Sequence, residues 1–199
     1  TNLSFYYEAD KKQDECLLEA ERLNSSFVET YKGLALTYFS NYEYNKATED
    51  LYKSLKYFEK ALKITNDYEI YFGYAVCLFE TKQYQKAKEI FEELLLEYPN
   101  RMRLLLSISY CEAYLGNKER ALHYLKQVKV NQDENYYLAT DDIHDFQIFE
   151  VYYFLEEYDL FLEECEKVIE SFYFADWNHY FYTLWLKNES EKFNKYIEK

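Results

Sequence analysis

The chain has 199 residues, enough for one domain or a short repeat array, yet it holds only three glycines and one proline. So few turn formers argue against an all-β fold. Aromatic residues make up 21% of the chain, 25 of them tyrosine, which is apolar area enough to exclude a disordered chain. A formal charge of −14 disfavours nucleic acid and anionic membrane as partners. No apolar run approaches a membrane span, and no signal peptide is visible. The chain starts at Thr1 rather than at methionine, so we expect a trimmed or processed form, with a leader or domain upstream.

In chain order, residues 4–24 come first, with Phe5, Ala9, Cys16, Ala20 and Leu23 spaced as on one helix. Ser26-Phe27-Val28-Glu29 reads as a capping box that starts the next. From Val28, Tyr31, Leu34, Ala35 and Tyr38 lie on one helical face. Two overlapping registers follow, Ala47 with Leu51 and Ser54 with Phe58 and Ala61, seven residues apart. We expect about two extra helical turns in this second helix. Residues 68–101 hold the clearest helix pair. Tyr71, Tyr74, Ala75 and Leu78 mark one helix, Tyr84, Ala87, Phe91 and Leu94 the next, and Pro99-Asn100 ends it. Ala75 and Ala87 are small where two helices must approach closely. The spacing recurs at 102–135 with Ile108-Ser109, Gly116 as the turn, and Ala121 with Leu125. Near Asp142 it persists through Tyr152 and Tyr158, but Phe161 stands at the small position. A last copy begins near Phe174 with Trp177, Phe193 and Ile197 in register.

These residues resemble the tetratricopeptide repeat, a 34-residue helix pair written W-x2-L-G-x2-Y, then A-x3-F, then P. In the best unit Tyr71 stands at the Trp position, Tyr74-Ala75 at Leu-Gly, Leu78 at Tyr, Ala87 and Phe91 at A-x3-F, and Pro99 at Pro. The resemblance implies an all-α, TPR-like α-solenoid of antiparallel helix pairs, about ten or eleven helices in one domain over 1–199. Its parts would be a helix at 4–24, units near 28–67, 68–101, 102–135 and 142–173, and a capping pair at 174–199. An ordinary helical bundle is the rival, disfavoured by the shared register of Ala47, Ala87 and Ala121.

Chemistry is sparse. Cys16, Cys77, Cys111 and Cys165 are scattered in helical, mostly apolar contexts, which reads as buried free thiols and a reducing, cytoplasmic setting. No HExxH, phosphate loop or Ser-His-Asp order occurs among the three histidines His123, His144 and His179. The stretch DDIHD at 141–145 offers Asp141, His144 and Asp145 to a divalent cation. Acids at the first turn of a helix explain it better, and we expect no metal, no cofactor and no enzyme.

Charge is more informative. Residues 130–186 hold fourteen acids against one base, Lys167, and seventeen aromatic residues. That segment would steer a basic protein toward the chain, or simply solubilise a terminal repeat. In the family the first helix of each pair lines the concave face. By resemblance this places Phe72, Val76 and Phe79, then Leu106, Tyr110 and Tyr114, then Ile143, Phe146, Glu150, Tyr153 and Phe154 in a groove. An array that winds tightly would bury the same rings in its own core. Some co-chaperone members hold a C-terminal carboxylate through Lys and Asn. Here only Lys32 stands at that place, with Leu36 after it, so an anionic tail is not the expected ligand.

The stretch FYFADWNHYFYTLW at 172–185 divides by register. Phe172, Tyr173 and Phe174 would end one helix, and Asp176 would cap the next. Trp177, Tyr180, Phe181 and Leu184 would pack, while Tyr182 and Trp185 face the groove. Phe72, Phe79, Tyr110, Tyr114, Phe146, Glu150, Tyr153, Glu163, Glu164, Tyr182 and Trp185 are therefore the expected partner contacts. The functional expectation is a non-enzymatic module that binds a basic protein or peptide, with neutralisation of a toxin domain as an immunity protein its sharpest form. A peptide-sensing regulator domain and an assembly or secretion chaperone are the alternatives.

Overall fold

A computed structural model describes Lys12 and residues 15–23, 27–99, 101–133, 148–169 and 174–197. Of residues 129–133, 168, 174–176 and 197 it describes the backbone alone. Among the described residues the regular structure is helical, in eleven α-helical segments and no strand. They are α1 (15–23), α2 (Val28–Asn45), α3 (Thr48–Leu62), α4 (Tyr68–Glu80), α5 (Tyr84–Glu97), α6 (Met102–Tyr114), α7 (Lys118–Asp133), α8 (Ile148–Phe154), α9 (Tyr158–Val168), α10 (Phe174–Leu186) and α11 (Ser190–Ile197). From α2 to α7 each helix packs on the one before it. Next, α8 docks on α6, α9 on α8, α10 on α9 and α11 on α10. The array is an all-α solenoid of antiparallel helix pairs.

One turn is reused four times. The amide of Gln83 donates to the carbonyl of Leu78 (2.8 Å), Asn117 to Glu112 (2.8 Å), Glu157 to Tyr152 (2.9 Å) and Glu189 to Leu184 (2.9 Å). This bond, reaching back five residues, satisfies a carbonyl that the helix end would otherwise orphan. It needs a left-handed residue just before the donor. That place is held by Lys82 (φ 63°), Gly116 (φ 82°), Glu156 (φ 60°) and Asn188 (φ 57°). Only Gly116 holds it without steric cost. The α2–α3 turn differs: Lys46 is left-handed (φ 56°), and its amide donates to Tyr42 at 2.7 Å.

Within a pair, the two helices meet at one residue from each. In the first three pairs both residues are small: Ala35 with Ser54, Ala75 with Ala87, and Ser109 with Ala121, all fully buried. The contact is close enough for Ser54 Oγ to donate to the carbonyl of Ala35 (2.7 Å) and Ser109 Oγ to that of Ala121 (2.9 Å). In the last two pairs the corresponding residues are Phe149 with Phe161, ring centroids 6.3 Å apart, and Phe181 with Phe193, 5.3 Å apart. Rings fill the crossing where backbones meet elsewhere. Between pairs, Phe58 of α3 lies on Gly73 of α4. A Cβ on Gly73 would stand 2.5 Å from Phe58 Cζ, so only glycine fits there.

The seven extra residues of the first pair are shared by both helices, which corrects the expectation that the second takes them all. α2 runs ten residues past Ala35, where α4 and α6 run five past Ala75 and Ser109. α3 starts six residues before Ser54, where α5 and α7 start three before Ala87 and Ala121. The insertion lengthens the hairpin from its tip. Ser54, not Ala47, then takes the crossing place, because only that register sets Phe58 and Ala61 into the core. Helix starts also shift. α2 begins at Val28 behind Phe27, with no side-chain hydrogen bond at that cap, and Ser26 lies outside the described residues. α10 begins at Phe174, so Phe174 opens a helix instead of ending one and Asp176 sits inside its first turn instead of capping it. Asp67 is a true cap: its Oδ1 accepts from the amides of Glu69 (3.0 Å) and Ile70 (3.4 Å) at the start of α4.

The core contains one charge cluster that the periodicity did not announce. Glu112 of α6 is wholly buried. It meets Lys88 Nζ of α5 at 3.3 Å and Arg120 of α7 at 2.8 Å, and accepts from Asn117 Nδ2 at 2.7 Å. Three helices and a turn are tied at one carboxylate. Among the thiols, Cys77, Cys111 and Cys165 are buried as expected, but Cys16 is exposed. Burial pushes the Cys77 thiol up to about 12. Burial, and then the neighbouring Glu112 carboxylate, push Cys111 up as well.

Candidate partner-binding groove

Three first helices, α6, α8 and α10, stand side by side and present residues one turn apart. On α6 these are Tyr110 and Tyr114, and on α8 Glu150 and Phe154. They meet as two rungs: the Tyr110 hydroxyl donates to the Glu150 carboxylate, and Tyr114 stacks on Phe154 with centroids 4.5 Å apart. Tyr153, beside Phe154, lies 4.2 Å from the imidazole of His179 on α10. Between the three helices opens a cavity of about 310 Å³, floored by Phe149 and Phe161, the ring pair that replaces the small residues of the earlier hairpins. The ring-filled crossing of α8 and α9 thus forms part of the cavity wall.

The rings of the groove are braced from behind. Phe79 of α4 sets an edge against Tyr114 (5.3 Å) and Tyr110 (6.0 Å), and Tyr84 of α5 stacks on the second face of Tyr114 (4.8 Å). Tyr114 remains 42% exposed and Phe154 48%. Further along α10, Tyr182 (48% exposed) stacks on Trp185 (66% exposed) at 6.0 Å. Among the described residues no lysine or arginine lines the cavity. The phenol of Tyr114 is held above its usual range, first by burial, then by Tyr84 and by the carboxylates of Glu150 and Glu80. Of these two carboxylates Glu150 lines the cavity itself.

The expected contacts divide on this geometry. Tyr114, Glu150, Tyr153, Tyr182 and Trp185 keep exposed atoms, and the first three line the cavity. Phe72 is 1% exposed, tilted against Phe91 and covered by the Arg103 guanidinium at 4.4 Å. It is core, because α6 packs over it. Val76 and Leu106 are buried likewise, and Phe79 and Tyr110 are buried braces. Glu164 is buried and accepts from Lys167 at 3.0 Å. These buried residues are withdrawn as partner contacts. Glu163 is exposed but stands 3.7 Å from Lys167 and does not line the cavity. Phe146, Ile143 and the whole DDIHD stretch lie outside the described residues. Among the described residues no group of three potential metal ligands occurs.

Sequence reasoning missed Phe149, Glu80 and His179. Phe149 had a signal: it occupies the small-residue place of the unit whose partner place holds Phe161. The one-signed acidic segment is also corrected. Lysines from outside it reach in: Lys118 to Glu157 (2.7 Å), Lys187 to Asp159 (2.7 Å) and Lys192 to Glu166 (2.6 Å). Tertiary structure thus pairs much of the charge on α9, while Glu150 at the groove has no lysine or arginine partner among the described residues. Lys32, the residue that might have held an anionic tail, is paired with Glu69. No helix among the described residues is long and apolar enough to cross a membrane.

A solved structure named "MamA MSR-1 C2" is similar at a TM-score of 0.49 and 20% identity, over 66% of this chain and 72% of that one. No curated protein matches. The tetratricopeptide repeat family profile matches residues 38–109, from within α2 to within α6, where the small-residue crossings and the recurring turn begin. On that match, and on the helix pairs that carry it, residues 38–109 bear tetratricopeptide repeats.

Proposed function

We propose that the chain is a non-catalytic protein-binding module whose partner docks across α6, α8 and α10 and is basic, as a toxin domain held inactive by its immunity protein would be. The observation that carries this reading is the groove itself. Exposed Tyr114 and Phe154 stand beside the Glu150 carboxylate, with no lysine or arginine in the lining among the described residues, and Tyr182 and Trp185 are exposed further along α10. Large, rigid rings that stay exposed in a folded chain supply contact area at little entropy cost, and such residues anchor interfaces. Glu150, in the lining, supplies the sign of the partner. The paired acids of α9 contribute less than their number implies, because ion pairs at a surface cancel at range.

The test uses the whole chain as bait against an extract of its source cells, beside a variant carrying Phe154→Ala, Tyr182→Ala and Trp185→Ala. A basic protein held by the first and lost by the second is the expected result. Its expression alone should harm a host that co-expression of this chain protects. An acidic partner, or one that the triple variant holds equally well, would overturn the proposal.

A further inference from the structure

Within that reading, on which this inference rests, we infer that the groove accepts one arginine side chain of the partner as its anchor, with Glu150 as the counter-charge and Phe154 as the stacking plane. Glu150 and Phe154 lie four residues apart on α8, hence on one face and roughly 6 Å apart along the axis. Tyr110 fixes one carboxylate oxygen of Glu150 by donating to it, which orients the group without neutralising it. Phe154 lays one face on Tyr114 and is 48% exposed. Tyr114 has Tyr84 on its other side, so the stack Tyr84, Tyr114, Phe154 is braced at one end and open at the other.

A cation with a flat face suits this arrangement. A guanidinium stacks on an aromatic plane while its fork donates to a carboxylate, which an ammonium does poorly and an aliphatic chain cannot do at all. The cavity, about 310 Å³, lies at the bottom of the range for small-molecule pockets, about 300–1,000 Å³. It is sized for a side chain rather than for a cofactor. The electrostatics agree in sign: Glu150 and Glu80 both raise the phenol of Tyr114, and no lysine or arginine among the described residues lines the site. His179 stands on the far wall against Tyr153.

Three blocked alanine-frame pentapeptides, with arginine, citrulline or leucine at the centre, serve as probes. Binding is followed through the ring resonances of Tyr114, Phe154 and His179. The arginine peptide should move these resonances and bind at least tenfold more tightly than the citrulline peptide, which keeps the shape and loses the charge. Glu150→Gln should erase that tenfold advantage and leave the leucine peptide unaffected. Phe154→Leu should weaken the arginine peptide severalfold, and thermal melting of both variants should match that of the parent chain. If the leucine peptide binds in the groove as well as the arginine peptide, the arginine anchor is overturned while the docking surface stands. If no peptide moves the ring resonances, the anchor is overturned too, and the docking reading is judged separately by partner capture.

Discussion

The first three hairpins and the last two solve the same crossing in opposite ways. Ala35–Ser54, Ala75–Ala87 and Ser109–Ala121 let two backbones meet, and two of these contacts are sealed by a serine hydroxyl on a carbonyl of the other helix. Phe149–Phe161 and Phe181–Phe193 fill the same place with rings. Close crossings leave no room for a ligand, and the residues expected to face one, Phe72 and Val76, are core there. The ring-filled crossing opens a cavity beside it. A change of residue size at the crossing positions of the repeat thus accompanies the difference between a closed half and a half that holds an open cavity.

The comparison breaks most directly at Phe161. Truncation with Phe161→Ala removes a wholly buried ring, for which about 3–5 kcal/mol is expected. Denaturant unfolding measures it. A loss under about 1 kcal/mol would show that the ring pair does not hold α8 and α9 together. In the small-residue half the counterpart is Glu112. Glu112→Gln leaves Lys88 buried without its counter-charge, a cost of about 3 kcal/mol by the same assay. Glu150→Gln, at an exposed carboxylate, should leave stability unchanged in the same assay.

Smaller changes sharpen the contrast. Ala87→Leu forces side-chain atoms into the crossing with Ala75 and should destabilise by about 1–3 kcal/mol. The shared turn predicts a gain: Lys82→Gly and Glu156→Gly each relieve a left-handed residue and should stabilise by roughly 0.5–1 kcal/mol. Equal gains would show that the turn is the same device in both halves; a gain at Lys82 alone would separate them.

The last test is silent at neutral pH. Burial, and then hydrogen bonds to Glu80, Glu21 and Glu93 respectively, push the phenols of Tyr42, Tyr57 and Tyr71 up to about 12. The folded chain holds these protons more tightly than the unfolded chain. Their contribution is therefore complete below about pH 10 and is lost as pH rises toward about 12. Stability measured across that window should fall, with phenolate absorbance rising alongside. Glu80→Gln should lower the pH at which Tyr42 ionises.

The sequence by itself determined the helical repeat. The recurrence of Ala75, Ala87, Ser109 and Ala121 is a local pattern, and local spacing decides which face of a helix is apolar. It also marked Tyr182 and Trp185 as outward-facing, since both sit off the packed stripe of α10. What it could not determine depends on distance between units. Phe72 and Tyr114 occupy comparable faces of successive first helices, yet one is core and the other exposed, because only the packing of α6 over α4 decides what is covered. Nor could it show that Glu112 would find Lys88 and Arg120, or that Lys118, Lys187 and Lys192 would neutralise acids on α9 and in the turn before it. Ion pairing is set by through-space distance, and residues tens of positions apart become neighbours only once the solenoid is wound.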